Sequence, residues 1–275
     1  MSRLTLSLRE PLRYRLDASS LTPNTLAGRS QTDVAALPLW YGNRKVIVGE
    51  LFEVVGEPLP WRGELVFANA TGRLDRVGAG MSAGTITVAG DVGAYAGFGM
   101  TGGKLAVSGN TGPFTASAMR QGEIRIGGDA GDFLGAAIPG EAAGMNGGVV
   151  VVSGNAGERV GDHMRRGNIL IAGDAGDYCG ARMTAGSIVV QGRVGDFVGF
   201  AMRRGTLLLY RPLAHRPATF TDCGGHDLQF LGLYLDYLNR FGAPFTHAKD
   251  RHVRVHKLAG DIAVDGKGEI LVLEL

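Results

Sequence analysis

The segment MSAGTITVAGDVGAYAGFG (81–99) runs directly into MTGGKLAVSGNTGPFTASA (100–118), and the two share one template. Apart from Met1, every methionine falls on that template: Met81, Met100, Met119, Met145, Met164, Met183 and Met202, at spacings of 19, 19, 26, 19, 19 and 19 residues. A fixed period of this size marks a stacked array, in which each unit buries its apolar face against its neighbours. With Met as position zero, positions five and seven run from Ile86 and Val88, through Leu105 and Val107, to Leu207 and Leu209. Such alternation, bounded by glycine, reads as a short strand with that face buried. A Gly-Asp or Gly-Asn turn follows at Gly90-Asp91, Gly109-Asn110, Gly128-Asp129, Gly154-Asn155 and Gly173-Asp174, and Gly192-Arg193 departs from it. Position fourteen is aromatic at Tyr95, Phe114, Phe133, Tyr178 and Phe197, with Arg159 as the exception.

These features predict an all-β chain: a parallel β-helix of about seven 19-residue coils, stacked about 4.8 Å apart. The methionine and aromatic rows then read as core stripes rather than a cofactor slot, since Met fills irregular interior gaps. Cys179, aligned with Val160 and Val198, reads as a buried thiol. Three units are expected: residues 1–62 as an N-terminal β cap, 63–211 as the repeats, and 212–275 as a helix plus strand pair. In the first unit, Leu39–Asn43 and Val46–Phe52 read as strands around a turn, and the second opens with Gly63–Phe67 as a degenerate first coil. In the last, Leu228, Leu231, Leu235 and Leu238 recur at helical spacing before Gly242 and Pro244, predicting a helix over about 227–241. The tail from His252 reads as two strands turned at Asp265-Gly266-Lys267-Gly268.

Composition narrows the function classes. Glycine is 45 of 275 residues without collagen's period, and 45% hydrophobic content argues against disorder. A net charge of +2 argues against nucleic-acid binding. No apolar run reaches membrane-spanning length, nothing resembles a signal peptide, and two cysteines cannot build a disulfide framework, so the cytoplasm is the expected compartment. No nucleophile elbow or phosphate loop occurs, and the glycine-rich turns lack the following helix that a dinucleotide site needs. Cys223 and His226 could suggest a metal, but a lone pair is weak, and His215, His247, His252 and His256 lack ligand spacing; no metal is expected. Position thirteen supplies Asp132, Glu158, Asp177 and Asp196 in consecutive coils, which read as solvated turn carboxylates rather than a metal or hydrolase site.

Chemistry in a regular stack is sought where the repeat breaks. The 26-residue spacing carries a seven-residue excess within Ala136–Gly144, a candidate interaction loop. Position six changes from Thr87, Ala106 and Arg125 to Val151, Leu170, Val189 and Leu208, an apolar row that protein must cover. Arg120, Arg165, Arg166, Arg203 and Arg204 form a basic stripe, with Arg182 just before Met183. It reads either as solubilising charge paired with the position-thirteen acids, or as a docking strip for an acidic neighbouring protein or carrier tail.

The repeated Gly-Asp-x-Gly-x-x-x-Gly-x-x-Met-x-x-Gly-x-Ile-x-Val phrase resembles the GXGXG β-helical domain, found at the C-terminus of the large glutamate synthase polypeptide and as the C subunit of formylmethanofuran dehydrogenase. The Leu39-Trp40-Tyr41-Gly42-Asn43, Gly49-Glu50-Leu51-Phe52 and Ile138-Pro139-Gly140 stretches look like that C subunit. The resemblance implies a right-handed β-helix with no catalytic residues of its own, in a cytoplasmic hetero-oligomer. In the dehydrogenase, the amidohydrolase-like A subunit hydrolyses the formyl amide, and tungsten or molybdenum chemistry lies in the B subunit. In the related formyltransferase/hydrolase complex of methylotrophic bacteria, the C subunit joins A, B and a formyltransferase, D. That complex moves formyl groups from tetrahydromethanopterin to a methanofuran-type carrier and releases formate. Arginine outnumbers lysine 23 to 5, which leans towards the bacterial complex. The resemblance thus implies a scaffold subunit that binds no cofactor alone, with a methanofuran-type carrier in the assembly. Two alternatives are the C subunit of a redox-active dehydrogenase and a free-standing β-helix enzyme acting on carbohydrate.

Overall fold

A computed structural model describes residues 2–246 and 253–274, so His247 and His252 lie outside the described residues. The first part of the chain forms β1 (Arg3–Leu8), β2 (Leu16–Asp17), α1 (Pro23–Leu26), α2 (Gln31–Ala35), β3 (Pro38–Tyr41), β4 (Arg44–Ile47), α3 (Val48–Leu51) and β5 (Phe52–Gly56). Next come β6 (Glu64–Ala70), β7 (Leu74–Asp75), β8 (Thr85–Gly90), β9 (Thr101–Val107), β10 (Gln121–Ile126), β11 (Asn146–Val152), β12 (Arg166–Ile171), β13 (Ser187–Val190) and β14 (Thr206–Leu209). The chain ends with β15 (Thr221–Asp227), α4 (Gln229–Leu238), β16 (Arg254–Gly260) and β17 (Gly268–Leu273).

One large, mainly parallel sheet of 13 strands dominates, in the order β15-β16-β17-β14-β13-β12-β11-β10-β9-β8-β6-β1-β5. Its register follows the sequence period: Ile86 pairs with Leu105, Leu105 with Ile124, Ile124 with Val150, and so on to Leu207. A second line of parallel bridges joins position eleven of successive repeats, from Val92 through Thr111, Ala130, Ala156 and Ala175 to Val194. From the Met81 repeat to the Met183 repeat, each is therefore tied to the next at both lines.

All seven repeat methionines are fully buried. Each contributes twice to the stack. The Met100 carbonyl accepts the Arg120 amide at 2.8 Å, and the Met119 carbonyl accepts the Asn146 amide at 2.7 Å. The methyl groups reach the glycine three residues past the next Met: a Cβ on Gly122 would lie 2.6 Å from Met100 Cε, and one on Gly148 equally close to Met119 Cε. Both glycines also hold positive φ, +102° and +83°, so sterics and backbone conformation together require glycine there.

The ends depart from the sequence reading in informative ways. Val46–Phe52 is not one strand, because α3 intervenes between β4 and β5, with the Glu50 carboxylate accepting the Ile47 amide at 3.1 Å. The first segment joins the large sheet itself: β1 lies parallel to β6, and β5 closes that edge antiparallel to β1. At the other end β17 continues the parallel register beyond β14, with Leu207 opposite Ile270, and β16 and β15 follow antiparallel. Both ends of the parallel stack are thus finished by antiparallel strands, β5 at one and β15 at the other.

Helix α4 lies over the outward face of the later strands. Val151, Leu170, Val189 and Leu208 are buried together with Leu231, Leu235, Leu238 and Phe245. The apolar row is thus covered by the chain's own helix. Arg125 Nη1 donates to the Phe241 carbonyl at 3.0 Å and Gln191 Nε2 to the Pro244 carbonyl at 2.9 Å, pinning the segment after the helix.

Candidate functional site

The turn carboxylates are engaged by the stack. Asp91 Oδ1 accepts the Asn110 amide at 2.7 Å, Asn110 Oδ1 the Asp129 amide at 2.8 Å, and Asp129 Oδ1 the Asn155 amide at 2.7 Å. Asn155 then accepts from Asp174 at 2.9 Å, and Asp174 from Arg193 at 2.7 Å. A second row behaves alike at position thirteen, where Asp132 Oδ1 accepts the Glu158 amide at 2.9 Å and Asp177 Oδ1 the Asp196 amide at 2.8 Å. The alignment of Asp91, Asp129, Asp132, Asp174 and Asp177 thus serves backbone amides of the next repeat. Among the described residues no group of three or more His, Cys, Asp or Glu is placed to hold a metal. Cys223 is exposed, and His226 Nε2 lies 3.0 Å from the Cys223 carbonyl oxygen rather than from its sulfur. Cys179 is buried, and burial pushes its thiol up to about 12, the environment of an inert core cysteine.

The arginines divide into two groups. Arg182 belongs to a half-buried cluster: its Nε donates to Asp162 Oδ1 at 2.8 Å, and its Nη2 meets Asp162 Oδ2. Arg159 Nη1 lies 3.4 Å from the same carboxylate and His163 Nδ1 2.9 Å from it, while the Asp162 side chain is only 6% exposed. The Asp162 hydrogen bond raises the Arg182 guanidinium pKa above its ordinary value. This cluster anchors the Ala136–Gly144 loop, since Ala137 N donates to the Asp162 carbonyl and Gly144 N to the His163 carbonyl, both at 3.0 Å. Arg120, Arg165, Arg166, Arg203 and Arg204 are instead exposed, and none forms an ion pair among the described residues. They do not pair with the position-thirteen acids.

Two cations that the period leaves out extend this face. Arg62, one residue before the degenerate coil, shares a cleft of about 390 Å³ with Ser82, Gly84, Thr85 and Lys104. Lys267 donates its amide to the Arg203 carbonyl at 2.7 Å and so follows the Arg203-Arg204 pair. Their signal was register rather than composition: each sits where the template would place a residue at the same corner. The described surface therefore offers an unpaired basic strip and an anchored loop, and no convergent acid–base pair.

No family model matches the chain. It is 41% identical over 89 residues to the Fhc C subunit of the formyltransferase/hydrolase complex of Methylorubrum extorquens, covering 32% of each protein. It is 36% identical over 99 residues to the C subunit of tungsten-containing formylmethanofuran dehydrogenase 2 of Methanothermobacter marburgensis, covering 35% of this chain and 37% of the relative. The matched stretches thus span about a third of these curated relatives. The likeness to one solved structure is longer. The crystal structure of the formyltransferase/hydrolase complex FhcABCD from Methylorubrum extorquens, in complex with methylofuran, contains a chain 41% identical to this one. That match has a TM-score of 0.90 and covers 98% of both chains. With identity at this level sustained along nearly the whole length, the chain belongs to the C-subunit family of formyltransferase/hydrolase and formylmethanofuran dehydrogenase complexes.

Proposed function

We propose that this chain is a non-catalytic scaffold subunit of a formyltransferase/hydrolase complex, standing with the A, B and D subunits in a hetero-oligomer. The complex would move formyl groups from tetrahydromethanopterin to a methanofuran-type carrier and release formate, with the chemistry in the partner subunits. The observation that carries this reading is the 98% mutual coverage with a chain of a methylofuran-bound FhcABCD complex. The engagement of the turn carboxylates by backbone amides supports a scaffold over a free-standing carbohydrate enzyme, which needs a free acid pair. The two free cysteines fit a reducing, cytoplasmic compartment. In architecture we read the chain as a right-handed parallel β-helix of about seven coils over 63–211, flanked by a cap over 1–62 and a tail over 212–275. The parallel pairing at each repeat supports that reading. A redox-active dehydrogenase is the second reading, favoured by the 36% identity to the C subunit of a tungsten enzyme.

Affinity purification of the tagged chain from its host, with identification of co-purifying subunits and elemental analysis, separates the readings. Formyl transfer without tungsten or molybdenum supports the first, and either metal in the complex supports the second. Purification of the chain alone, with turnover of its own, would overturn both.

The basic strip has a role in this reading: Arg165, Arg166, Arg203 and Arg204 dock carboxylates of a neighbouring subunit or of an acidic carrier tail through charge-assisted hydrogen bonds. Changing all four to Gln should reduce assembly or carrier retention, most clearly at low salt, where screening is weakest. Equal retention by variant and wild type across a salt series would reduce the strip to solubilising charge.

A further inference from the structure

The aromatic row at position fourteen is a ladder with one closed end and one open end. Tyr95 and Phe114 stack at 5.3 Å, and Phe114 and Phe133 at 4.7 Å. Arg159 takes the next place with its guanidinium 4.4 Å from the Tyr178 ring centre, and Tyr178 stacks on Phe197 at 4.8 Å. At the start, Arg76 closes the ladder by lying 5.2 Å from the Tyr95 centre. Arg76, Tyr95, Phe114, Phe133, Arg159, Tyr178 and Phe197 all hold φ between +58° and +63°. Seven consecutive repeats thus accept a left-handed backbone to aim a flat side chain along the axis, and in two of them that side chain is a guanidinium.

The period places Arg216 after Phe197. The chain has left the register there: Arg216 is absent from the left-handed set among the described residues, and its Nη1 turns to Asp222 at 2.9 Å. Phe197 therefore ends the ladder 57% exposed, with Phe200 beside it at 51%. The acid row runs out at the same point. Asp177 Oδ1 accepts the Asp196 amide, whereas among the described residues Asp196 Oδ1 meets the His215 ring, 3.2 Å away on a side chain that is 82% exposed. Phe197, Asp196, Phe200 and His215 line a cavity of about 450 Å³, and Arg216 lines it too, with its guanidinium held by Asp222. An open aromatic face thus adjoins a carboxylate that no arginine or lysine pairs with among the described residues, Arg216 being engaged by Asp222, where the other end of the ladder carries an arginine.

We infer that Phe197 and Asp196 form a docking point for an arginine side chain of a partner subunit. The guanidinium stacks on the Phe197 ring, as Arg76 and Arg159 do on theirs, and hydrogen-bonds the Asp196 carboxylate. The inference rests on the reading of this chain as one component of a larger complex.

The test uses the chain titrated against the remaining co-expressed subunits of its complex. Phe197→Leu should weaken association roughly three- to thirty-fold, the span expected of cation–π contacts, while Phe197→Tyr should retain it. Asp196→Asn should weaken it too and flatten its salt dependence. A photoreactive benzoylphenylalanine in place of Phe200 should give an adduct on another subunit within a few residues of an arginine. If wild type and Phe197→Leu associate equally, or the adduct maps to a segment without arginine, the docking point is wrong while the subunit reading stands. If the wild-type chain associates with no other subunit, both fall.

Discussion

Gly173 shows how tightly single residues are specified. A Cβ there would overlap the Asn155 side-chain oxygen and come within 2.7 Å of the Gly154 carbonyl oxygen. From Gly109 onward the glycine of each such turn is thus required by the side chain of the preceding repeat, not by its own dihedral angles, whereas Gly90 holds φ of +121° against the Ala70 backbone. Gly173→Ala should destabilise the chain by about 2–3 kcal/mol through overpacking, read as a lower urea midpoint. A midpoint within error of wild type would show that the rows can spread to admit a methyl group. The cysteines offer a second check. Exposed Cys223 should react with a thiol reagent in the native protein, and Cys179 only after unfolding, because its thiol is buried and held protonated. Native labelling of two thiols instead of one would contradict that burial.

At the scale of elements, the phenols of Tyr210, Tyr234 and Tyr237 pack against the apolar cluster that α4 covers. Burial raises the pKa values of Tyr210, Tyr234 and Tyr237, with Tyr234 pushed up to about 12, and the Tyr234 hydroxyl donates to Asn168 Oδ1 at 3.1 Å. A folded pKa above the unfolded value of about 10 means the stabilisation is complete below pH ~10 and is lost as pH rises towards ~12. Ultraviolet titration should therefore show tyrosines ionising late, together with loss of helical signal; ionisation near pH 10 with the helix intact would refute this. Much of the element plan was legible. The 19-residue spacing placed β8 to β14, and leucine spacing placed α4 to within two residues at its start. Local pattern could not reveal that β1 inserts beside β6 or that β17 extends β14, because those pairings join residues far apart in sequence. Nor could composition reveal that Arg182 turns to Asp162, or that Asp132 and Asp177 serve backbone amides, since those partners are set by stacking.

Across the whole molecule, the strip, the loop anchor and the covered row lie on one continuous stack whose repeats each touch mainly their neighbours. Stability in such a body is close to a sum of local and nearest-neighbour terms, so damage at one level is felt chiefly by the levels beside it. The row Asp91, Asn110, Asp129, Asn155, Asp174 alternates acid with amide. Alternation keeps the carboxylates about two strand spacings apart, roughly 10 Å, or one Debye length in ordinary salt. Hydrolysis of the Asn110 and Asn155 amides, a slow reaction that needs only water and time, would leave five carboxylates in sequence at half that spacing. Each would still accept its amide, but now against like charge above and below. Samples held warm for weeks should lose thermal stability in proportion to deamidation at these two sites by mass spectrometry, and Asn110→Asp with Asn155→Asp should reproduce the loss at once. An unchanged melting temperature in that double variant would remove the link. The same row that aligns the repeats would then record the protein's age as charge.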